Sequence, residues 1–183
     1  MKIAVLGWGS LIWDSRNLQS DGKWKIDGPF LPIEFARISN NSRLTLVIKQ
    51  NANPVQVLWS YMTIDDLNLA RENLKEREDT TNINRIGFVN LIDNSSSSKY
   101  NGILEIINKW ASHKNIDAVI WTDLGVKFKD KINKELNIKN IIDYLRSLPK
   151  EKQNLAKEYI INAHQQIRTE YRMGIENKLN WKK

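Results

Sequence analysis

The sequence predicts an α+β fold in which a small mixed or antiparallel sheet, of meander or barrel type, is flanked by helices. Three observations point there. The chain opens on an apolar strand, Lys2-Ile3-Ala4-Val5-Leu6, which runs straight into Gly7-Trp8-Gly9-Ser10-Leu11. Three β-rich runs then follow one another (31–38, 43–48 and 55–62), separated by Asn40-Asn41-Ser42 and Asn51-Ala52-Asn53-Pro54. Consecutive strands joined by such turns fit a meander or barrel better than a doubly wound sheet. The last third of the chain carries helical spacing.

The remaining elements can be read in order. Thr63 opens a helix, with Asp66 three residues on completing a capping-box-like pair, and the helix passes through Leu67, Ala70 and Leu74 to Glu76-Arg77-Glu78-Asp79. Ile86-Gly87-Phe88-Val89-Asn90-Leu91 reads as a strand, the serines of 94–98 as a flexible loop, 103–112 as a helix and Ala118-Val119-Ile120-Trp121 as a strand. Ile141, Ile142 and Leu145 mark a short helix ended by Ser147-Leu148-Pro149. A long helix follows, with Leu155, Tyr159, Ala163, Ile167 and Tyr171 at every fourth position and Gly174 as its stop. No internal repeat is present. Residues 1–183 are therefore expected to form a single domain with a helical C-terminal part from about 138.

Composition excludes several classes of function. The absence of cysteine removes disulfide frameworks, thiolate metal sites and cysteine nucleophiles, and fits a reducing compartment. The apolar run before Gly7 is too short for a signal-peptide core, and no stretch nears the roughly 18 apolar residues of a membrane span, so a cytoplasmic protein without a membrane partner is expected. The net charge of +7 comes almost wholly from Asp123 onward, where 14 Lys/Arg stand against 8 Asp/Glu. Those charges are interspersed, as on a solvated helix face, and no nucleic-acid partner is expected. His113 and His164 lack ligand spacing, so no metal is expected.

The glycine loop has two readings. It is either a tight turn at the end of a strand or a ligand loop whose successive N–H groups form a concavity for a carboxylate or oxyanion. Glycines in such a loop allow positive φ and close approach of a ligand. Ile12 stands where a dinucleotide fingerprint needs its third glycine, and Ser10 lacks the Gly-x-Ser-x-Gly frame of hydrolases, so neither of those chemistries is expected. Among the acids of the helix from Thr63, Glu78 falls within roughly 20° of Leu67, on the side defined by Leu67, Ala70 and Leu74, while Glu72 and Glu76 fall on the opposite face. Glu78 therefore either leans out from the helix end or is buried on purpose. A buried carboxylate is the kind of group a general acid/base needs.

Val5-Leu6-Gly7-Trp8-Gly9-Ser10-Leu11 resembles the Tyr-Gly-Ser-(Leu/Asn) signature of the γ-glutamylcyclotransferase-like superfamily, with Trp8 in place of tyrosine. Leu74-Lys75-Glu76-Arg77-Glu78 resembles the superfamily's Leu-x-x-x-Glu segment, and Asp79 stands where a glycine is frequent. The resemblance covers roughly residues 3 to 90. It implies a small mixed/antiparallel β-barrel with flanking helices and a cofactor-free reaction in which a γ-glutamyl amino acid or amine cyclises to 5-oxoproline and releases its amine. In that scheme Glu78 is the catalytic residue, and Trp8, Gly9, Ser10 and Leu11 surround the glutamyl head. An arginine, Arg37 or Arg85, would meet a substrate carboxylate unless both are merely structural. Trp59 and Ser60 replace a small residue that is common in the family's central strand. The alternative is a non-catalytic domain on the same fold that binds a small anion or metabolite.

Overall fold

Turn chemistry and apolar alternation place most elements where the sequence predicts them. The computed structural model describes residues 1–182. In chain order it contains β1 (Ile3–Gly7), β2 (Phe30–Leu31), β3 (Ile33–Ile38), β4 (Leu44–Ile48), β5 (Val55–Gln56), β6 (Leu58–Tyr61), α1 (Leu67–Arg77), β7 (Ile86–Asn90), β8 (Ser96–Ser97), α2 (Leu104–His113), β9 (Ala118–Thr122), α3 (Lys129–Ile132), α4 (Ile138–Ser147), α5 (Lys150–Asn162) and α6 (Glu170–Leu179). The chain divides into two compact units. One comprises Met1–Leu31 and Gln56–Leu124, and the other Pro32–Val55 and the chain from Gly125 onward.

The first unit is built on a five-stranded mixed sheet in the order β6-β1-β9-β7-β8. Interior strand β1 is antiparallel to β6, with Leu6 opposite Trp59, and parallel to central β9, with Val5 opposite Ile120. β7 completes the centre antiparallel to β9. Helix α1 lies on β9 and β7. Its Ala70 and Leu74 join Ile3, Val5, Leu11, Ile86 and Ile120 in one buried cluster. The expected barrel is corrected here: the sheet is open, and no closed barrel occurs among the described residues. Closure needs edge strands that can pair, and β8 is two exposed serines with little ladder to offer. The expected third strand of the meander also divides. Val57 interrupts it with its N–H on the Pro29 carbonyl (3.0 Å), and β6 pairs with β1.

Helix α1 starts three residues later than predicted. Asp66 is its N-cap, with the side chain accepting from the Leu69 N–H at 2.9 Å, while the Thr63 hydroxyl donates to the Gln19 carbonyl.

In the second unit β3 and β4 form the predicted hairpin, with Phe35 opposite Leu46. The predicted long C-terminal helix is two helices, α5 and α6. The chain leaves helical geometry at Ala163 (ψ 130°) and re-enters after Thr169, whose hydroxyl caps α6. The break is stabilised by Arg172, which donates to the carbonyls of Ala163, His164 and Ile167 that a continuous helix would have used. Gly174 lies inside α6 instead of ending it. A Cβ there would stand 2.5 Å from Ile138, so glycine lets α4 and α6 approach.

Glu34 on β3 is almost fully buried and accepts from the Phe35 N–H, the Thr169 hydroxyl and the Tyr171 N–H, holding the start of α6. Burial pushes its carboxyl above the usual value, and the three donors only partly offset this. A carboxyl whose pKa is raised on folding binds its proton more tightly in the folded state, so stability falls as pH rises from about 4.5 to the folded value. Glu34→Gln removes this slope. Denaturant unfolding across that window should show wild type losing stability relative to the variant as pH rises, and parallel curves would contradict the assignment.

Candidate functional site

The loop that follows β1 is a single helical turn. The Ile12 N–H bonds to the Gly9 carbonyl at 3.1 Å and the Asp14 N–H to the Ser10 carbonyl at 2.8 Å. The backbone N–H groups of Gly9, Ser10 and Leu11, at the start of that turn, donate to no acceptor among the described residues. Three successive free amides form the kind of concavity that holds an anion. Gly7 does not take positive φ; its role is space. A Cβ there would lie 2.5 Å from the Trp24 ring, so the strand end and that indole come together only over glycine.

Helix α1 brings its C-terminal end to this loop. Its buried residues, Ala70, Asn73, Leu74 and Arg77, repeat at i, i+3, i+4 and i+7 and share one face. The two polar members hold the segment after the glycine loop. Asn73 accepts from the Gln19 N–H at 2.8 Å and donates to the Asn17 carbonyl at 3.0 Å. Arg77, with 2% of its side chain exposed, donates from Nη1 to Glu78 Oε1 at 2.8 Å, and from Nη2 to the Ser10 hydroxyl at 3.3 Å and to the Asp14 carbonyl. Its buried Nε has no hydrogen-bond partner. The guanidinium therefore joins Ser10 and Glu78, the two predicted elements of the site.

Glu78 is the C-cap of α1, and 15% of its side chain is exposed. The helix ends there in a Schellman arrangement: the Asp79 N–H bonds to the Glu76 carbonyl at 3.0 Å and the Thr80 N–H to the Lys75 carbonyl at 3.3 Å. That motif requires a left-handed residue after the cap, and Asp79 takes φ 50°. The position where the resemblance expects glycine is thus a position where the backbone favours it.

The other predicted residues have varied surroundings. Trp8 is buried at 5% exposure, and Leu11 belongs to the apolar core of the first unit. Arg37 lies in the second unit, half-buried, where its Nη1 donates to the Gly125 carbonyl at 3.0 Å. Arg85 is exposed and donates to the Thr80 hydroxyl. Trp59 and Ser60 anchor the segment 21–27: the Trp59 indole donates to Asp27 at 2.8 Å and the Ser60 hydroxyl to Asp21 at 2.6 Å. The Lys114 ammonium and that indole hold the Asp27 carboxyl below its usual range.

Arg77 and Asn73 are what sequence reasoning missed. The signal was available, because both fall in the same i, i+3, i+4, i+7 register as Ala70 and Leu74. Among the described residues no group of three or more His, Asp or Glu side chains converges as a metal site, and no helix is long and apolar enough to cross a membrane. No protein-family model matches the chain, and neither a curated protein nor a solved structure is significantly similar to it.

Two substitutions test this geometry. Arg77→Met leaves the Glu78 carboxylate and the Asp14 carbonyl without their donor and should lower unfolding free energy by about 3–5 kcal/mol. A loss within the range of a surface substitution would mean the guanidinium is not holding them. Asp79→Gly relieves the left-handed backbone and removes an acid from a helix C-terminus. It should raise stability by about 1 kcal/mol in denaturant unfolding, with no change or a loss counting against the Schellman assignment.

Proposed function

We propose that the chain is a cofactor-free enzyme of the γ-glutamylcyclotransferase type, acting on γ-glutamyl amides. The observation that carries this reading is the joining of the two motif elements. Three free loop amides and the Ser10 hydroxyl lie beside a guanidinium that also holds Glu78.

The α-amine of the substrate attacks its own γ-carbonyl carbon. A C–N bond closes the five-membered ring, the original amide C–N bond breaks, and the proton lost by the attacking nitrogen goes to the leaving amine. Nucleophile and electrophile share one molecule, so the protein's task is to fold the glutamyl chain into attack geometry, carry the proton and hold the developing negative oxygen.

Glu78 carries the proton. Its Oε1 accepts from Arg77, while Oε2 makes no hydrogen bond among the described residues and is left for the substrate amine. The N–H groups of Gly9, Ser10 and Leu11 receive the carbonyl oxygen as it becomes negative, or the α-carboxylate of the glutamyl head. Trp8, in the loop, is buried. Arg77 touches no reacting atom in this scheme and is a positioning residue.

The test is release of 5-oxoproline from a panel of γ-glutamyl amino acids and amines. Wild type should turn over, and Glu78→Gln should lose about 10²- to 10⁴-fold in kcat. Turnover that survives Glu78→Gln would move the proton chemistry to another residue. No turnover of any substrate by folded wild type would favour the anion-binding domain, for which the same free amides would be the ligand contacts.

A further inference from the structure

Ring closure needs more than a proton carrier and an oxygen pocket: the two methylenes of the glutamyl chain must fold and stay folded. The segment between the glycine loop and β2 supplies a side chain for that task. Residues 20–25 run antiparallel along β6, on its side away from β1, with Ser20 bridged to Met62 and Lys25 to Trp59. Between those bridges the segment takes five residue steps where β6 takes three, so it bulges. Gly22 turns there at φ 69°, and the Lys23 N–H closes the turn on the Asp21 carboxylate at 2.9 Å.

The bulge is fixed at both ends. The Ser60 hydroxyl donates to Asp21 at 2.6 Å, and the Asp21 N–H to the Tyr61 carbonyl at 2.9 Å. Lys25 exchanges two backbone hydrogen bonds with Trp59, and its ammonium stands 4.2 Å from the Trp59 ring centre and 4.3 Å from that of Tyr61. Lys25 thus lies on the face of β6 that carries those two rings. Alternation sends the preceding side chain, Trp24, to the opposite face, where it reaches across to β1. A Cβ on Gly7 would lie 2.5 Å from Trp24 Cζ3, 2.8 Å from its Cη2 and 3.3 Å from Ile12 Cγ1. The ring therefore meets the loop at Gly7, where the loop begins and where Ile12 returns. The free amides lie within that stretch. Gly9 is two residues from Gly7, at most about 7 Å along the chain, and Leu11 is next to Ile12. Trp24 is half-buried, and its indole N–H, with no acceptor among the described residues, is not shut away from solvent.

We propose that Trp24 contacts the substrate and is the wall on which the glutamyl methylenes fold, beside the amides of Gly9, Ser10 and Leu11. This rests on the cyclisation reading. A glutamyl chain folded for attack presents two methylenes flanked by polar groups, and an indole answers it with an apolar face and one donor at its edge.

The experiment labels the protein with 5-fluorotryptophan and titrates it with 5-oxoproline. It also measures KM and kcat of wild type, Trp24→Phe and Trp24→Ala for whichever γ-glutamyl amide of the panel wild type turns over fastest. The signal missing from Trp24→Phe is that of Trp24, and 5-oxoproline should shift it in the wild-type protein. Trp24→Ala should raise KM about 10-fold, the worth of about two buried methylenes, with a smaller effect on kcat because Glu78 and the amides remain. Trp24→Phe, which keeps an aromatic face, should retain most of the affinity. Should Trp24→Ala fail to fold, the fluorine shift decides. A Trp24 signal that 5-oxoproline leaves in place, or a KM unchanged in folded Trp24→Ala, overturns the Trp24 assignment and leaves the cyclisation intact. Absence of turnover across the panel by folded wild type overturns both.

Discussion

One buried guanidinium holds the candidate site together. Arg77 is 2% exposed, and an ion taken that far from water costs several kcal/mol unless its donors find acceptors. It finds three: the Glu78 carboxylate at its own helix end, and the Ser10 hydroxyl and Asp14 carbonyl on the loop after β1. The loop has no regular ladder of its own beyond one helical turn, so the helix supplies what fixes it. Asn73, one turn back on the same face, extends the grip to Asn17 and Gln19. Loop and helix end are therefore one polar unit, over 60 residues apart in sequence, and neither keeps its geometry without the other.

The sheet explains why that unit forms where it does. β1 sits between β6 and β9, paired with β9 over Ile3–Val5 and with β6 as far as Gly7, and the chain turns beyond that last pair. Leu11 drops into the same cluster as Val5 and Leu74, tying the loop to the core from below while Arg77 ties it from the side. What is left without partners is the row of amides on Gly9, Ser10 and Leu11. Unpaired donors at the start of a helical turn are common to a plain turn and a binding loop, the two readings of Gly7-Trp8-Gly9-Ser10.

Local chemistry was legible in the sequence, and long-range exchange was not. The strand before Gly7, the β3–β4 hairpin and the placing of Glu78 toward the apolar side of its helix all follow from period and turn residues, which act within a few positions. The parallel pairing of β1 with β9 joins residues 115 apart in the chain, as Ile3 opposite Ala118, and no local pattern announces it. In the C-terminal part, the four-residue spacing from Leu155 to Tyr171 is real, but Arg172 can satisfy the carbonyls around Ala163 from a distance. That removes the usual penalty for breaking a helix there. Arg77 shares the register of Ala70 and Leu74, but an arginine there reads as solvated until its acceptors are known.

The two arginines of α1 show how the same side chain takes opposite roles six residues apart. Arg77 is nearly saturated, its charge spent on groups the fold itself must hold, and its remaining Nε is buried out of a ligand's reach. Arg71 lies on the rim of the same helix, where Phe88 supports the guanidinium plane but supplies no hydrogen-bond acceptor. An aromatic face steadies a cation without neutralising it. The protein thus keeps one cation fixed beneath Glu78 and another on the same flank with its charge unspent.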